Sequence, residues 1–140
     1  MASKPVFADT SFFFALVAKR DPAHRQAVKA FAKLLRAQSR VITTDYIIDE
    51  TLTLTKARIN APAALALLDR IERSEAINLE DIAPQRFDAA KAFFAKHADH
   101  GYSFTDCTSF VLMRELRMTQ ALTTDRHFIE AGFEALLPVA

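Results

Sequence analysis

Short apolar runs separated by longer amphipathic segments form the main pattern of this chain. The runs are rich in β-branched or aromatic residues and are too short for helices, which is typical of buried strands. Five of them predict strands, at residues 5–8, 41–44, 76–79, 119–123 and 136–139. Because strands alternate with segments of helical length, we predict a three-layer α/β/α fold around a mainly parallel sheet of four to five strands.

The segments between the strands carry apolar residues three and four positions apart, the spacing of a helix with one buried face. Asp21 and Pro22 are expected to open one helix, whose buried face comprises Val28, Phe31, Leu34 and Leu35. In the helix after 41–44, which Asp45 is expected to cap, the predicted stripe comprises Ile48, Leu52, Thr55 and Ile59. The helix that begins at Pro84 is expected to bury Phe87, Ala90, Phe93 and Phe94.

Acidic residues stand at the ends of several predicted strands or in the first turns of the helices that follow. They are Asp9, Glu50, Asp106 and Asp125. In a parallel sheet these positions lie along one edge, beyond the carboxyl ends of the strands, where ligands bind. Two of the acids have a structural alternative, since Asp9 could cap the first helix and Asp106 completes a capping box with Ser103.

Carboxylates gathered at one edge would repel each other unless a cation joined them. Oxygen ligands of this kind suit Mg²⁺ or Mn²⁺, which keep several waters and are completed by substrate phosphate. Zinc is not expected, because the chain has one cysteine and its four histidines lack the spacing of a zinc motif. The pattern therefore predicts a Mg²⁺ or Mn²⁺ site.

Composition limits the classes of protein to which this chain could belong. A chain of 140 residues with 51% hydrophobic and 25% charged residues fits a single domain, 1–140. No apolar run approaches the roughly eighteen residues of a membrane span, and the segment that follows Met1 shows no signal-peptide core. The lone Cys107 suits a reducing compartment. We therefore expect a cytoplasmic protein. A net charge of +1 does not by itself indicate nucleic-acid binding.

Four segments of the sequence resemble motifs of the PIN-domain ribonucleases and, among these, of the VapC-like toxins. The residues 6–11 (VFADTS), 45–51 (DYIIDET), 103–107 (SFTDC) and 122–128 (LTTDRHF) occur in the family's order across nearly the whole chain. The resemblance implies a metal-dependent endoribonuclease whose acids are Asp9, Glu50, Asp106 and Asp125. Each motif is weak alone, but their common order is specific.

The resemblance also implies roles and partners. Asp9 and Asp106 are expected to bind the metal, with Glu50 as a ligand or water-positioner and Asp125 as a ligand of a second ion. Hydroxyl groups expected to orient these carboxylates belong to Thr10, Ser11 and Thr123. The expected partners are single-stranded or looped RNA, a small antitoxin protein and a second copy of the chain in a homodimer.

Several alternatives stay open at this point. The chain could be a housekeeping PIN-domain RNA-processing nuclease or a non-catalytic module that binds RNA or protein. A phosphatase of the haloacid-dehalogenase type would need a second Asp where Ser11 stands. Possible phosphate contacts are Lys56, Arg58 and Arg126, and Asp49, next to Glu50, is expected to be solvated. The Phe12–Phe14 run is predicted as core rather than as a surface for RNA bases, and the resemblance offers a homodimer interface as a third interpretation.

Overall fold

A five-stranded sheet forms the centre of the computed structural model, which describes residues 4–139. Its strands are β1 (Val6–Ala8), β2 (Val41–Thr44), β3 (Ile77–Glu80), β4 (Gln120–Leu122) and β5 (Glu134–Ala135). Every neighbouring pair is parallel, in the order β3-β2-β1-β4-β5. The predicted parallel α/β/α architecture is confirmed. Residues 1–3 and 140, the ends of the predicted 1–140 domain, lie outside the described residues.

Seven helices connect and cover the strands. They are α1 (Thr10–Val17), α2 (His24–Arg36), α3 (Asp45–Arg58), α4 (Ala61–Arg73), α5 (Pro84–Lys96), α6 (Phe104–Glu115) and α7 (Arg126–Glu130). Each of β1, β2 and β4 runs into a helix at its carboxyl end. Among residues 4–139, none of the helices is long and apolar enough to cross a membrane.

The side of the sheet on which new strands are added changes between β1 and β4. From β1 the chain adds β2 and β3 on one side, and it then crosses to add β4 and β5 on the other. The connections at the carboxyl ends of β1 and β4 therefore diverge and leave a crevice between them. Asp9 and Asp125 follow these two strands, so the topology brings two of the predicted site residues to one crevice.

The core is built largely from phenylalanine. Phe7, Phe12, Phe13, Phe110 and Phe128 are each fully buried. The first two residues of the Phe12–Phe14 run are thus core, as predicted, and are not available to RNA or to a second subunit.

The predicted face of α2 was wrong in part. Phe31 is buried, but Val28 and Leu35 are 46% and 45% exposed. The buried stripe runs through Ala27 and Phe31, and the neighbouring stripe that carries Val28 and Leu35 faces outward. The helix also begins at His24 rather than at Asp21, whose carboxylate accepts a hydrogen bond from the Ala23 amide in the preceding turn.

In α3 the buried face agrees with the prediction only in part. Thr55 is buried as predicted, but the other buried residues are Ile47 and Thr51 rather than Ile48 and Leu52. Ile59 lies at the helix end and is 39% exposed. The polar Thr51 hid this part of the stripe from a search for apolar residues. The helix is capped by Thr44, whose hydroxyl accepts from the Ile47 amide at 3.0 Å, and not by Asp45.

Two further differences lie in α5 and at the last strand. Phe93 is buried as predicted, but Phe94 is 44% exposed and Phe87 is half-buried. The edge strand was expected at 136–139 but is formed by Glu134 and Ala135, which pair with β4. The Leu136 amide still donates to the Ala121 carbonyl oxygen of β4 at 2.8 Å.

Candidate metal centre

Asp9 lies at the carboxyl end of β1 and is 5% exposed. Its Oδ2 accepts hydrogen bonds from Ser11 Oγ at 3.0 Å and Thr123 Oγ1 at 2.9 Å. Asp9 occupies the N-cap position of α1, but its side chain makes no capping hydrogen bond. Its carboxylate is therefore held by two hydroxyl groups instead of by the helix.

The same two hydroxyl groups connect the ends of β1 and β4. Ser11 Oγ accepts from the Thr124 amide and Thr123 Oγ1 accepts from the Asp125 amide, each at 3.0 Å. Ser11 and Thr123 thus hold the Asp9 carboxylate against the ends of both strands. The Thr10 hydroxyl instead lies 3.4 Å from the Thr51 hydroxyl, which donates to it across the α1–α3 contact.

Asp106 takes part in both of the arrangements considered from the sequence. It closes a capping box, since its Oδ2 accepts from the Ser103 amide and its own amide donates to Ser103 Oγ, both at 3.0 Å. The same Oδ2 lies 3.2 Å from His127 Nδ1. The capping box is therefore observed, and it leaves the Asp106 carboxylate next to the His127 ring.

Asp125 caps the short helix α7, and its Oδ1 accepts from the His127 amide at 2.9 Å. The His127 ring returns to the same carboxylate, with Nδ1 3.4 Å from Asp125 Oδ1. One ligand atom each of Asp106, Asp125 and His127 lies within 4.8 Å of the others. These three residues, brought together from α6 and α7, can hold a metal ion.

His127 is a site residue to which the sequence analysis assigned no role. Its Nδ1 lies between two carboxylates, and its ring packs edge-on against Tyr102 with the centroids 5.5 Å apart. The only sequence signal was its position two residues after Asp125 at the start of a helix. Of the other histidines, His24 and His97 lie at helix ends.

Glu50 is the predicted acid with the weakest connection to this centre. It is half-buried on α3, next to Thr51, whose hydroxyl reaches Thr10 beside Asp9. The charges that raise the pKa values of Asp9 and Asp106 come from other acids, not from Glu50. The neighbouring Asp49 is exposed, as predicted.

Burial dominates the electrostatics of the site. It raises the pKa of Asp9 to about 7, against hydrogen bonds from Thr123 and Ser11, with a further rise from the charge of Asp106. Burial also raises the pKa of Asp106, to which the charge of Asp125 contributes, although His127 opposes the rise. The three carboxylates therefore repel each other in the absence of a cation.

Basic side chains lie around the site without entering it. Arg126 directly follows Asp125 and is exposed, and Lys56 and Arg58 are exposed on α3. The Arg58 guanidinium lies 5.8 Å from the centroid of the Phe14 ring.

Residues 6–134 match the PIN domain family, which covers nearly all of the described chain. The chain belongs to the PIN-domain family. The resemblance stated from the four sequence motifs is thereby confirmed, and the acids of this PIN domain occupy the carboxyl edge of its sheet.

Two proteins of similar sequence within the family have VapC names. The 23S rRNA-specific endonuclease VapC20 of Mycobacterium tuberculosis is 32% identical over 133 residues, covering 95% of this chain and 98% of that protein. A VapC ribonuclease of Archaeoglobus fulgidus is 31% identical over 114 residues, covering 79% of this chain and 70% of that protein. The resemblance to VapC-like proteins is thus confirmed at the level of sequence.

Solved structures agree with the PIN fold. The crystal structure of M. tuberculosis VapC20, described as a sarcin-ricin loop cleaving toxin, has a TM-score of 0.84 at 30% identity and covers 95% of this chain and 99% of that one. VapBC2 of Rickettsia felis, crystallised with a DNA fragment from its promoter, has a TM-score of 0.65 at 8% identity over 94% and 96% of the two chains. The second match supports the shared fold alone.

The capping and cation-binding roles of Asp106 can be separated by two substitutions. Asp106→Asn keeps an oxygen that can accept from the Ser103 amide, whereas Asp106→Ala removes it. We expect the Ala variant to be less stable than the Asn variant by about 1 kcal/mol, the usual value of a helix cap. Both should lose the stabilisation that Mn²⁺ gives the wild type, because both lack the negative charge.

Urea unfolding of both variants in EDTA and in Mn²⁺ measures the two effects. An Asn variant as unstable as the Ala variant would contradict the capping role. An Asn variant stabilised by Mn²⁺ as strongly as the wild type would contradict the cation-binding role.

Proposed function

We propose that this protein is a Mg²⁺- or Mn²⁺-dependent endoribonuclease that hydrolyses phosphodiester bonds of RNA, as the toxin of a toxin–antitoxin pair. One observation carries the proposal: Asp9, Asp106 and Asp125 converge at the β1/β4 crevice, where burial and the charge of Asp106 raise the pKa of Asp9, and burial and the charge of Asp125 raise the pKa of Asp106. The VapC names of the relatives support the reaction class.

The donor set fits a divalent cation that prefers oxygen. Asp106 and Asp125, with His127, would hold one ion, and Asp9 would complete its coordination from β1. Three mutually repelling carboxylates lower their energy when a cation joins them. Bound there, the ion would polarise the scissile phosphate and lower the pKa of an attacking water.

The remaining residues act by positioning. Ser11 and Thr123 fix the rotamer of Asp9 through hydrogen bonds to its Oδ2. His127 holds Asp106 and Asp125 at a fixed separation. Glu50, at the margin of the centre, is assigned to water positioning or to a second ion. These roles match those expected of orienting groups around a metal.

RNA with unpaired nucleotides is the proposed substrate. The relative VapC20 is named as a 23S rRNA-specific endonuclease, and its crystal structure as a sarcin-ricin loop cleaving toxin. A small antitoxin is the proposed protein partner, since the similar VapC20 structure is named as a toxin. A homodimer is also proposed, as the resemblance to the VapC-like toxins implies.

Cleavage of RNA by the purified protein should require Mg²⁺ or Mn²⁺ and stop in EDTA, because none of the side chains assigned to the site is a strong nucleophile. Incubation of a looped RNA with the wild type and with Asp49→Asn, an exposed acid beside the site, measures this. Both should cleave to the same extent. Cleavage that continues undiminished in EDTA would contradict the metal-dependent reaction.

Expression of the isolated chain in a bacterial host is expected to slow growth, and expression of Asp9→Asn is expected not to. The reason is that a toxin acts through its cleavage chemistry, to which Asp9 contributes. Growth curves at matched protein levels measure the difference. Normal growth with an active wild-type enzyme would favour the housekeeping nuclease, and the absence of any cleavage would favour the non-catalytic module.

A further inference from the structure

Four aromatic side chains form a continuous cluster on the surface between α3, α5 and α6. We call this cluster the aromatic edge, and it consists of Tyr46, Phe87, Phe94 and Phe104. Phe104 is its centre, with ring centroids 6.3 Å from Tyr46, 5.2 Å from Phe87 and 5.7 Å from Phe94. The rings are tilted or edge-on to each other.

The aromatic edge borders the metal centre. Tyr46 follows β2 in the first turn of α3, at the carboxyl edge of the sheet where Asp9 lies. Phe104 is the first residue of α6, two positions before Asp106. The cluster and the acids therefore share one edge of the molecule.

These rings differ in exposure from the phenylalanines of the core. Phe94 is 44% exposed and the other three are half-buried, whereas Phe110 is fully buried. Phe87 and Phe94 are seven residues apart on α5 and lie on one face, with Lys91 between them. The Lys91 ammonium lies 5.3 Å from the Phe87 ring centroid and 3.1 Å from Asp88 Oδ1. A cation thus lies beside an exposed aromatic surface.

We infer, on the basis of the proposed endoribonuclease function, that the aromatic edge stacks the unpaired bases of the RNA strand whose phosphate lies at the acids. Aromatic side chains with a nearby cation are the usual means of binding single-stranded nucleic acid. The chain carries a net charge of only +1, so general attraction to phosphate is weak and stacking must supply affinity. Lys91 contacts the backbone beside the stacked bases.

Binding can be measured without cleavage in the Asp9→Asn protein in EDTA. The probes are a labelled single-stranded oligoribonucleotide and an oligomer of the same length that has the ribose-phosphate backbone but no bases. We expect Phe94→Ala to weaken binding of the first probe roughly tenfold, the effect of losing one stacked base. Binding of the second probe should not change. Phe104→Leu, which keeps an apolar side chain, should give a similar loss for the first probe.

Leu65→Ala is the matched control, because Leu65 is 66% exposed on α4, away from the aromatic edge. Equal affinities of Phe94→Ala and Leu65→Ala for the base-containing probe would overturn the inference, as would equal losses on both probes. Unchanged RNA binding with loss of a co-purifying small protein would assign the surface to a protein partner and overturn it too. If the parent binds neither probe in EDTA while the wild type cleaves RNA in Mn²⁺, this assignment fails and the proposed function stands; if the wild type does not cleave RNA in Mn²⁺, the proposed function fails.

Discussion

Asp9→Asn is expected to make the metal-free protein more stable at pH 8. It should also reduce RNA cleavage by about a hundredfold or more, a larger loss of activity than is typical when a residue outside the metal ligands is replaced. The carboxylate is 5% exposed, and burial raises its pKa from 3.8 to about 7. Charging it at pH 8 therefore costs on the order of 4 kcal/mol relative to the unfolded chain. The Asn side chain avoids this cost and can still accept from Ser11 and Thr123.

The stability difference should depend on pH in a defined direction. Because the pKa of Asp9 is higher in the folded protein, the folded state binds the proton more tightly than the unfolded state. The contribution of Asp9 to stability is fully present below about pH 4 and is lost as pH rises through about 7. The advantage of Asp9→Asn should therefore be small at pH 4 and largest above pH 7.

Urea unfolding in EDTA between pH 4 and pH 8 tests this expectation. Asp49→Asn is the control, since this acid is exposed and its removal should leave the pH dependence unchanged. An Asp9→Asn protein that is less stable than the wild type at pH 8 would contradict the buried, repelled carboxylate. Retained cleavage would contradict the role of Asp9 in the metal centre.

Much of the site could be predicted from positions at element boundaries. Asp9, Asp106 and Asp125 each follow a strand or open a helix, and a parallel sheet brings such positions to one edge whatever the details of packing. Ser11 and Thr123 were found for the same reason. Local sequence was sufficient because these residues are placed by the backbone of adjacent elements.

The features that were missed depend on contacts between distant segments. His127 reaches Asp106 only because α6 and α7 pack together, and the distance between the two residues in sequence gives no sign of it. The inner face of α3 was misplaced because Thr51 is buried against Thr10 of α1 despite its polarity. Phe94 was predicted as core, and its exposure on α5 is visible only in the folded protein.

Divalent metal affinity is expected to fall steeply as pH is lowered below about 7, by up to about tenfold for each pH unit. A metal ion that uses Asp9 must displace the proton that this carboxyl group holds at and below neutral pH. Between pH 7.5 and pH 5.5 the apparent Mn²⁺ affinity should therefore drop roughly thirtyfold. The raised pKa of Asp106 adds to the effect in the same direction.

Calorimetric titration of the metal-free protein with Mn²⁺, in two buffers of different ionisation enthalpy, measures both the affinity and the protons released. Close to one proton should be released per ion near pH 6, and fewer at pH 8, where Asp9 is already charged. In Asp9→Asn both the proton release and the pH dependence should be reduced, leaving only the contribution of Asp106. An affinity that stays constant from pH 5.5 to pH 7.5 would show that the metal does not bind at Asp9.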